Sequence, residues 1–245
     1  MSTRQIWLLD DVASPWYPFL EEFLEGTSSK LKTCFDPALA LKALDRQQPD
    51  QIFASPDFLS LPLIQKLKAL RASSGTLRLF SLGKKGVFPK DLACDAVFDS
   101  PGSLLDFQKE LMECLPQPET IRLLVVDDEP EVGAMVRDFM QGRTAPQIAV
   151  DCAENGEIAF KKIRQNPPDV VLMDIKMPVR DGRELYRDLV KSGLHVPVIV
   201  FFDAVSTEEL AEIYSLGRPM VVEKGSRQSS PMELISLIKK MAYFR

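Results

Sequence analysis

The sequence predicts an α/β protein built from two tandem copies of one doubly wound parallel-sheet domain. Three observations carry that expectation. One short word occurs twice: residues 5–11 read Gln-Ile-Trp-Leu-Leu-Asp-Asp and residues 122–128 read Arg-Leu-Leu-Val-Val-Asp-Asp, each an apolar run stopped by two aspartates. A second word recurs behind it, Pro-Asp-Gln-Ile-Phe-Ala-Ser at 49–55 and Pro-Asp-Val-Val-Leu-Met-Asp at 168–174. Asp10 to Asp127 is an offset of 117 residues and Ser55 to Asp174 one of 119, so the repeated unit has ordinary domain size. Third, short runs rich in Val and Ile alternate with segments of helical spacing, the pattern of strands covered by helices on both faces.

The second half shows the elements most cleanly. Apolar runs at 123–126, 170–173, 198–202 and 220–222, with a weaker one at 148–150, are the five expected strands. Between them Val132, Val136, Phe139 and Met140 share one helical face, as do Ile158, Ala159 and Ile163, then Leu185 and Leu189. Ser206-Thr207-Glu208-Glu209 opens the next helix with a capping hydroxyl and early acidic charge. The last helix starts near Pro231 and stripes Leu234, Ile235, Ile238 and Met241. The first half follows the same plan as far as Ser81. Beyond it, Gly83-Lys84-Lys85-Gly86-Val87-Phe88-Pro89 holds too many breakers for an ordinary fourth helix, which is expected to be short or missing. Pro15-Trp16-Tyr17-Pro18-Phe19 opens the first helix, either as core packing or as an exposed aromatic docking patch. Pro116-Gln117-Pro118-Glu119-Thr120 reads as a short stiff linker, giving domains at 1–116 and 121–245 joined by 117–120.

Composition narrows the function classes. The 245 residues carry 30 Lys+Arg and 35 Asp+Glu, a net charge of −5, with 45% hydrophobic and 27% charged residues. That is enough apolar material for a sizeable core, which excludes a disordered chain. Residues 1–118 hold 13 basic and 15 acidic residues and 119–245 hold 17 and 20, so neither half has the basic excess that grips nucleic acid. No stretch approaches the roughly 20 apolar residues of a membrane span, and residues 1–20 lack a signal-peptide pattern. Cys34, Cys94, Cys114 and Cys152 are scattered without a Cys-x-x-Cys pair, as expected of buried thiols in a reduced, cytoplasmic protein. His195, in a loop, is the single histidine, which excludes His pairs and multi-His metal sites. Lys84-Lys85 and Lys239-Lys240 read as solvated charge.

The chemistry concentrates at strand ends. In an open parallel sheet, ligands bind at the carboxyl edge of the strands. Asp127 and Asp128 end the first strand of the second half, Asp174 the third and Lys224 the fifth, so all four converge on that edge. Three carboxylates packed together repel one another unless a cation joins them. Oxygen-only ligands favour Mg²⁺. A carboxylate beside Mg²⁺ and a lysine is also an environment in which Asp can act as a nucleophile towards phosphorus.

Asp127-Asp128-Glu129-Pro130, Asp174-Ile175-Lys176-Met177-Pro178, Asp181-Gly182 and Lys224 together resemble the receiver domain of bacterial two-component response regulators, a flavodoxin-like (βα)5 fold. The resemblance covers residues 120–245 closely and the first half loosely. It implies that Asp174 accepts a phosphoryl group from a sensor histidine kinase or phosphotransfer protein. It also implies that Asp127, Asp128, Asp174 and the backbone carbonyl of Lys176 hold Mg²⁺, and that Lys224 pairs with the phosphoryl oxygens. A phosphate donor on another chain agrees with the scarcity of histidine.

Departures from the family pattern are informative. The family places Thr or Ser at the end of the fourth strand; Phe202 stands there, or Asp203 with a one-residue slip. The aromatic position three residues before the lysine is Val221, and Gly225 follows Lys224 where Pro is usual. In the first half Asp10 and Asp11 keep the acidic pair and Ser81 falls at the hydroxyl position, but Ser55 replaces the phosphoacceptor and Ser100 the lysine. The first copy therefore reads as a pseudo-receiver without phosphorylation chemistry.

The expectation is a two-component signalling protein: a tandem-receiver response regulator with no output domain after Arg245, phosphorylated on Asp174, not an enzyme beyond self-phosphorylation and self-dephosphorylation. Its output is contact with a downstream protein, as response regulator or phosphorelay intermediate, without direct nucleic-acid binding or membrane insertion; homodimerisation stays open. The alternative is a phosphorylation-independent scaffold in which both copies are docking modules.

Overall fold

The computed structural model describes residues 4–84, 86–142, 144–203 and 205–245, and the chain divides into two compact units, the first made of residues up to Leu24 and Ser29–Pro116 and the second of Glu25–Ser28 and Gln117–Arg245. The first contains β1 (Gln5–Leu9), α1 (Trp16–Phe23), β2 (Lys30–Cys34), α2 (Pro37–Leu44), β3 (Gln51–Ala54), α3 (Leu61–Ser73), β4 (Arg78–Leu82), β5 (Ala96–Phe98) and α4 (Leu104–Cys114). The second contains β6 (Thr120–Val126), α5 (Pro130–Met140), β7 (Gln147–Ala153), α6 (Gly156–Gln165), β8 (Val170–Met173), α7 (Gly182–Lys191), β9 (Val198–Phe202), α8 (Thr207–Leu216), β10 (Met220–Glu223) and α9 (Pro231–Tyr243). The sheets run β2-β1-β3-β4-β5 and β7-β6-β8-β9-β10, parallel throughout. Each has the flavodoxin-like order, with its first strand between the second and third.

Burial of both sheet faces explains the continuous apolar runs. In β6, Leu123 and Val125 pack with Ile199, Val222 and Ile238, whereas Leu124 and Val126 pack with Ala159, Ile163 and Leu185. The pleat sends alternate residues to opposite faces, so both sets must be apolar. In the first unit, Trp7, Leu9, Ile52 and Ala54 meet Leu63, Leu67 and Leu70 of α3. An aromatic cluster fills the other face around Phe107, whose ring lies 5.1 Å from Phe19, 5.0 Å from Phe23 and 4.7 Å from Phe98. Trp16 is buried at 6.1 Å from the same ring, so the aromatic start of α1 is mainly core, with Tyr17 left outside.

Local signals set the helix starts. Asp36 caps α2, accepting from the Ala38 and Leu39 N–H groups at 2.8 and 2.9 Å, and Pro37 supplies the first helical residue. Ser206 and Glu209 close a reciprocal capping box on α8, and Asp181 and Glu184 do the same on α7. Between β4 and β5 no helix forms among the described residues; Phe88 and Leu92 of that loop are instead buried in the core. The repeated Pro-Asp word has a structural role. Asp50 accepts the Gln5 N–H at 2.7 Å and Asp169 accepts the Arg122 N–H at 2.7 Å, tying the entrances of neighbouring strands in each unit.

Some expectations change. The four cysteines are free, but Cys34 alone among them is buried. Lys85 lies outside the described residues, and the C-terminal lysine pair is not solvated charge: Lys239 Nζ donates to the Ala145 carbonyl at 2.7 Å and Lys240 is buried. No helix among the described residues is long and apolar enough to cross a membrane.

Candidate functional site

The strand ladders continue one step past β6 and β8 and thereby set the acidic site. The Asp127 N–H donates to the Ala153 carbonyl at 3.1 Å, and the Asp174 N–H to the Val126 carbonyl at 2.8 Å. Both side chains are thus held at the carboxyl edge of the second sheet. One carboxylate oxygen from each of Asp127, Asp128 and Asp174 lies within 4.8 Å of the others. Asp127 is buried, Asp174 half-buried and Asp128 exposed.

Lys224 reaches in from the end of β10. Its Nζ lies 3.2 Å from Asp127 Oδ2 and 3.8 Å from Asp174 Oδ2. Burial alone would lower the Lys224 pKa, but the neighbouring Asp174 and Asp127 outweigh it and hold the ammonium above its ordinary range. Burial pushes the Asp174 carboxyl up despite Lys224 and the N–H of Ile175, which donates to Oδ1 at 2.8 Å. Within this cluster three carboxylates meet the one ammonium of Lys224. Hard oxygen donors in a charge-deficient cluster fit a small divalent cation such as Mg²⁺.

The loop after β8 is shaped by Asp181 and Gly182. Asp181 caps α7, accepting the Glu184 N–H at 2.9 Å, and the Gly182 N–H donates to the Ile175 carbonyl at 2.9 Å. These bonds bring the first turn of α7 against the backbone of Asp174. Tight turning continues at Val179, whose φ of 68° is a left-handed value that a β-branched residue rarely adopts.

Phe202 and Asp203 take separate places. Phe202 closes β9 opposite Glu223 and packs, partly buried, with the apolar cluster that also takes Val205, Leu216 and Val221. Asp203 follows it, with Oδ2 3.4 Å from Lys224 Nζ. Sequence reasoning treated these residues as alternatives for one position. It missed Asp203 as a third carboxylate on the lysine, a contact legible only once the end of β9 is placed beside that of β10.

The first unit lacks this constellation. Asp10 Oδ1 accepts the Asp11 N–H at 2.9 Å and Oδ2 accepts from Ser14, so its carboxylate is engaged in a local turn. Ser55 follows β3 and Ser100 lies just beyond β5. Strand register corrects one reading. Ala54 pairs with Ser81, while Met173, which stands just before Asp174 as Ala54 stands before Ser55, pairs with Val200. Ser81 is therefore the counterpart of Val200, and Gly83 that of Phe202. Ser81 is buried with its hydroxyl unpartnered, two residues short of the sheet edge. The three-acid group close enough to share a cation is, among the described residues, confined to the second unit.

Comparison with known proteins agrees with this geometry. Residues 123–238 match the response regulator receiver domain family. This half of the chain is a receiver domain. Over 126 residues it is 36% identical to a protein-glutamate methylesterase/protein-glutamine glutaminase of Syntrophomonas wolfei, covering 49% of this chain and 35% of that protein. It is 27% identical over 125 residues to the transcriptional regulatory protein BaeR of Escherichia coli, covering 49% of this chain and 47% of BaeR. Among solved structures, the receiver domain of Francisella response regulator 1452 is 27% identical, with a TM-score of 0.44, 50% of this chain covered and 97% of that one. The chain spans less than half the length of these curated relatives, and what is shared with them lies in the receiver domain. The first unit, with the same five-strand order, is receiver-like in fold.

Proposed function

We propose that the second unit is a phosphoacceptor in two-component signal transduction, and that Asp174 receives the phosphoryl group. The observation that carries this reading is the gathering of Asp127, Asp128 and Asp174 within 4.8 Å at the mouth of Lys224. A carboxylate oxygen of Asp174 attacks the phosphorus of a phosphohistidine on a sensor histidine kinase or phosphotransfer protein. The new O–P bond forms as the N–P bond breaks, and the imidazole leaves with the electron pair and takes up a proton. Asp127, Asp128, Asp174 and the Lys176 backbone carbonyl would hold Mg²⁺, which supplies charge neutralisation to the phosphoryl oxygens when bound. Lys224 stays protonated and offers its ammonium to the same oxygens, exchanging a carboxylate partner for a phosphoryl one. The first unit acts as a pseudo-receiver, since Ser55 has no carboxylate to form an acyl phosphate. Output is contact with a downstream protein in the cytoplasm, with no external substrate turned over.

The test is incubation with acetyl phosphate or a phosphorylated histidine donor and Mg²⁺, followed by intact-mass measurement. One phosphoryl group should appear on the wild type and none on Asp174→Asn; a wild type that gains none from either donor overturns the reading.

A second reading is supported by the packing of Phe202 and Val221 into the apolar cluster, where no hydroxyl stands to follow a phosphoryl group. In it both units are docking modules and phosphorylation is dispensable. Unchanged partner binding by Asp174→Asn in cells would favour it.

A further inference from the structure

The exposed apolar residues of the first unit are not spread over its surface. Val12, Phe35, Leu61, Val87 and Leu105 are exposed, and each follows a different strand: Val12 after β1, Phe35 after β2, Leu61 at the start of α3, Val87 after β4 and Leu105 in the first turn of α4. Leu39, in the first turn of α2, joins them at 63% exposure. Each follows the carboxyl end of a strand of one parallel sheet, so by topology these residues are distributed along that edge. The second unit is the internal comparison. Of its large exposed apolar residues among those described, Met135, Val190 and Tyr214 sit in the middle or last turns of helices, and Val179 and Met232 lie at that edge. There the edge is given to the acidic site.

The charge of the first edge indicates what would cover it. Asp11, Asp36, Asp57 and Asp99 are exposed, one after each of β1, β2, β3 and β5, the four strands of this unit that a helix follows. By sequence, lysines among these connections occur in the β4–β5 loop alone, at Lys84, Lys85 and Lys90, where Asp91 and Asp95 also stand. Anionic lipid headgroups and nucleic-acid phosphates would be repelled by that distribution. A segment with apolar anchors and Lys or Arg between them would match it in both respects.

We propose that the carboxyl edge of the first unit, where a receiver carries its phosphoacceptor, has become a docking face for a cationic amphipathic segment of a partner protein. The proposal goes beyond phosphoacceptance by the second unit and does not require it.

The full-length protein is titrated into a fluorescein-labelled amphipathic helical peptide of Leu and Lys, and into a Leu/Glu peptide with the same apolar face. Saturable binding of the Leu/Lys peptide is expected, weakening with added salt. The double substitution Val12→Ser/Leu61→Ser should weaken it about tenfold or more, the size expected when apolar anchors are removed. Leu39→Ser is the independent second variant, and both variants should keep the wild-type circular dichroism because the altered side chains are exposed. Both should still accept a phosphoryl group from acetyl phosphate, so failure at this face is distinguishable from failure at Asp174. Equal binding of the Leu/Glu peptide, or undiminished Leu/Lys binding by both variants, overturns the proposal. So does self-association of the full chain that Leu61→Ser abolishes, which would assign the face to a second copy, or binding to phosphatidylglycerol vesicles, which would assign it to lipid.

Discussion

A β-carbon placed on Gly182 would stand 2.3 Å from the carbonyl oxygen of Asp174 and 3.0 Å from the Cα of Ile175. The opposing atoms are backbone, so they cannot swing aside. Helix propensity alone would make Gly182→Ala favourable by up to about 1 kcal/mol. The clash reverses the sign, and a net loss of about 1–3 kcal/mol is expected, as for overpacked cores. Urea unfolding measures it. Because relief requires the Asp174 loop to move, phosphorylation by acetyl phosphate should fall as well. Unchanged stability and unchanged phosphorylation would remove Gly182 from the description of the site.

Asp174 is held above its ordinary pKa of 3.8, chiefly by burial. A carboxyl raised in the folded state costs stability wherever it is ionised, that is, above its folded value, and costs nothing below 3.8, where it is protonated in both states. In Mg²⁺-free buffer Asp174→Asn should therefore be more stable than wild type at neutral pH. The advantage should shrink as pH falls and vanish in the acid limit. Added Mg²⁺ should stabilise the wild type more than the variant, since ligand bound to the folded state alone adds to stability. Urea melts across pH, with and without the metal, check each part. An advantage that grows towards acid pH would show the sign to be wrong.

Asp50 and Asp169 test the repeated Pro-Asp word. Each accepts a backbone N–H at 2.7 Å from the start of the neighbouring strand. Truncation to Ala leaves a strand-entry amide without that acceptor, a loss of about 1–3 kcal/mol. Asp169 also pairs with Arg122 and Arg245, so Asp169→Ala should cost more than Asp50→Ala. Chemical denaturation of the two variants decides the order, and equal losses would mean that the arginine pairs contribute little, as for many exposed pairs.

How much was legible in the sequence depends on the kind of signal. Continuous Val- and Ile-rich runs read directly as strands buried on both faces, and the acidic site was legible because Asp127-Asp128 and Asp174 directly follow such runs and Lys224 stands two residues beyond another. The missing helix before β5 was legible through Gly83, Gly86 and Pro89. Register was not. A strand shows its period in sequence but not where its neighbour pairs, and the two-residue slip from Gly83 to Ser81 keeps every side chain on its own face, so periodicity could not expose it. Lys240 and the aromatic start of α1 escaped for another reason: a lysine or a tryptophan shows its burial only when its neighbours in space are known.

Asp203 yields the last prediction. It lies 3.4 Å from Lys224 Nζ and its side chain is 77% exposed, so it competes with any anion for that ammonium while being well screened by water. An exposed ion pair is worth about 0–1 kcal/mol, which bounds the competition at roughly fivefold. Asp203→Ala should bind beryllofluoride, a phosphoryl mimic, up to about fivefold more tightly in the presence of Mg²⁺, by calorimetric titration. Asp203→Asn should show a similar gain, since the competing charge and not the side-chain volume is at issue. Phe202→Thr should not: removing a partly buried ring packed against the apolar cluster leaves a cavity costing about 2–4 kcal/mol before any hydroxyl can act. Unaltered beryllofluoride affinity in both Asp203 variants would show that Lys224 is already free to leave this carboxylate.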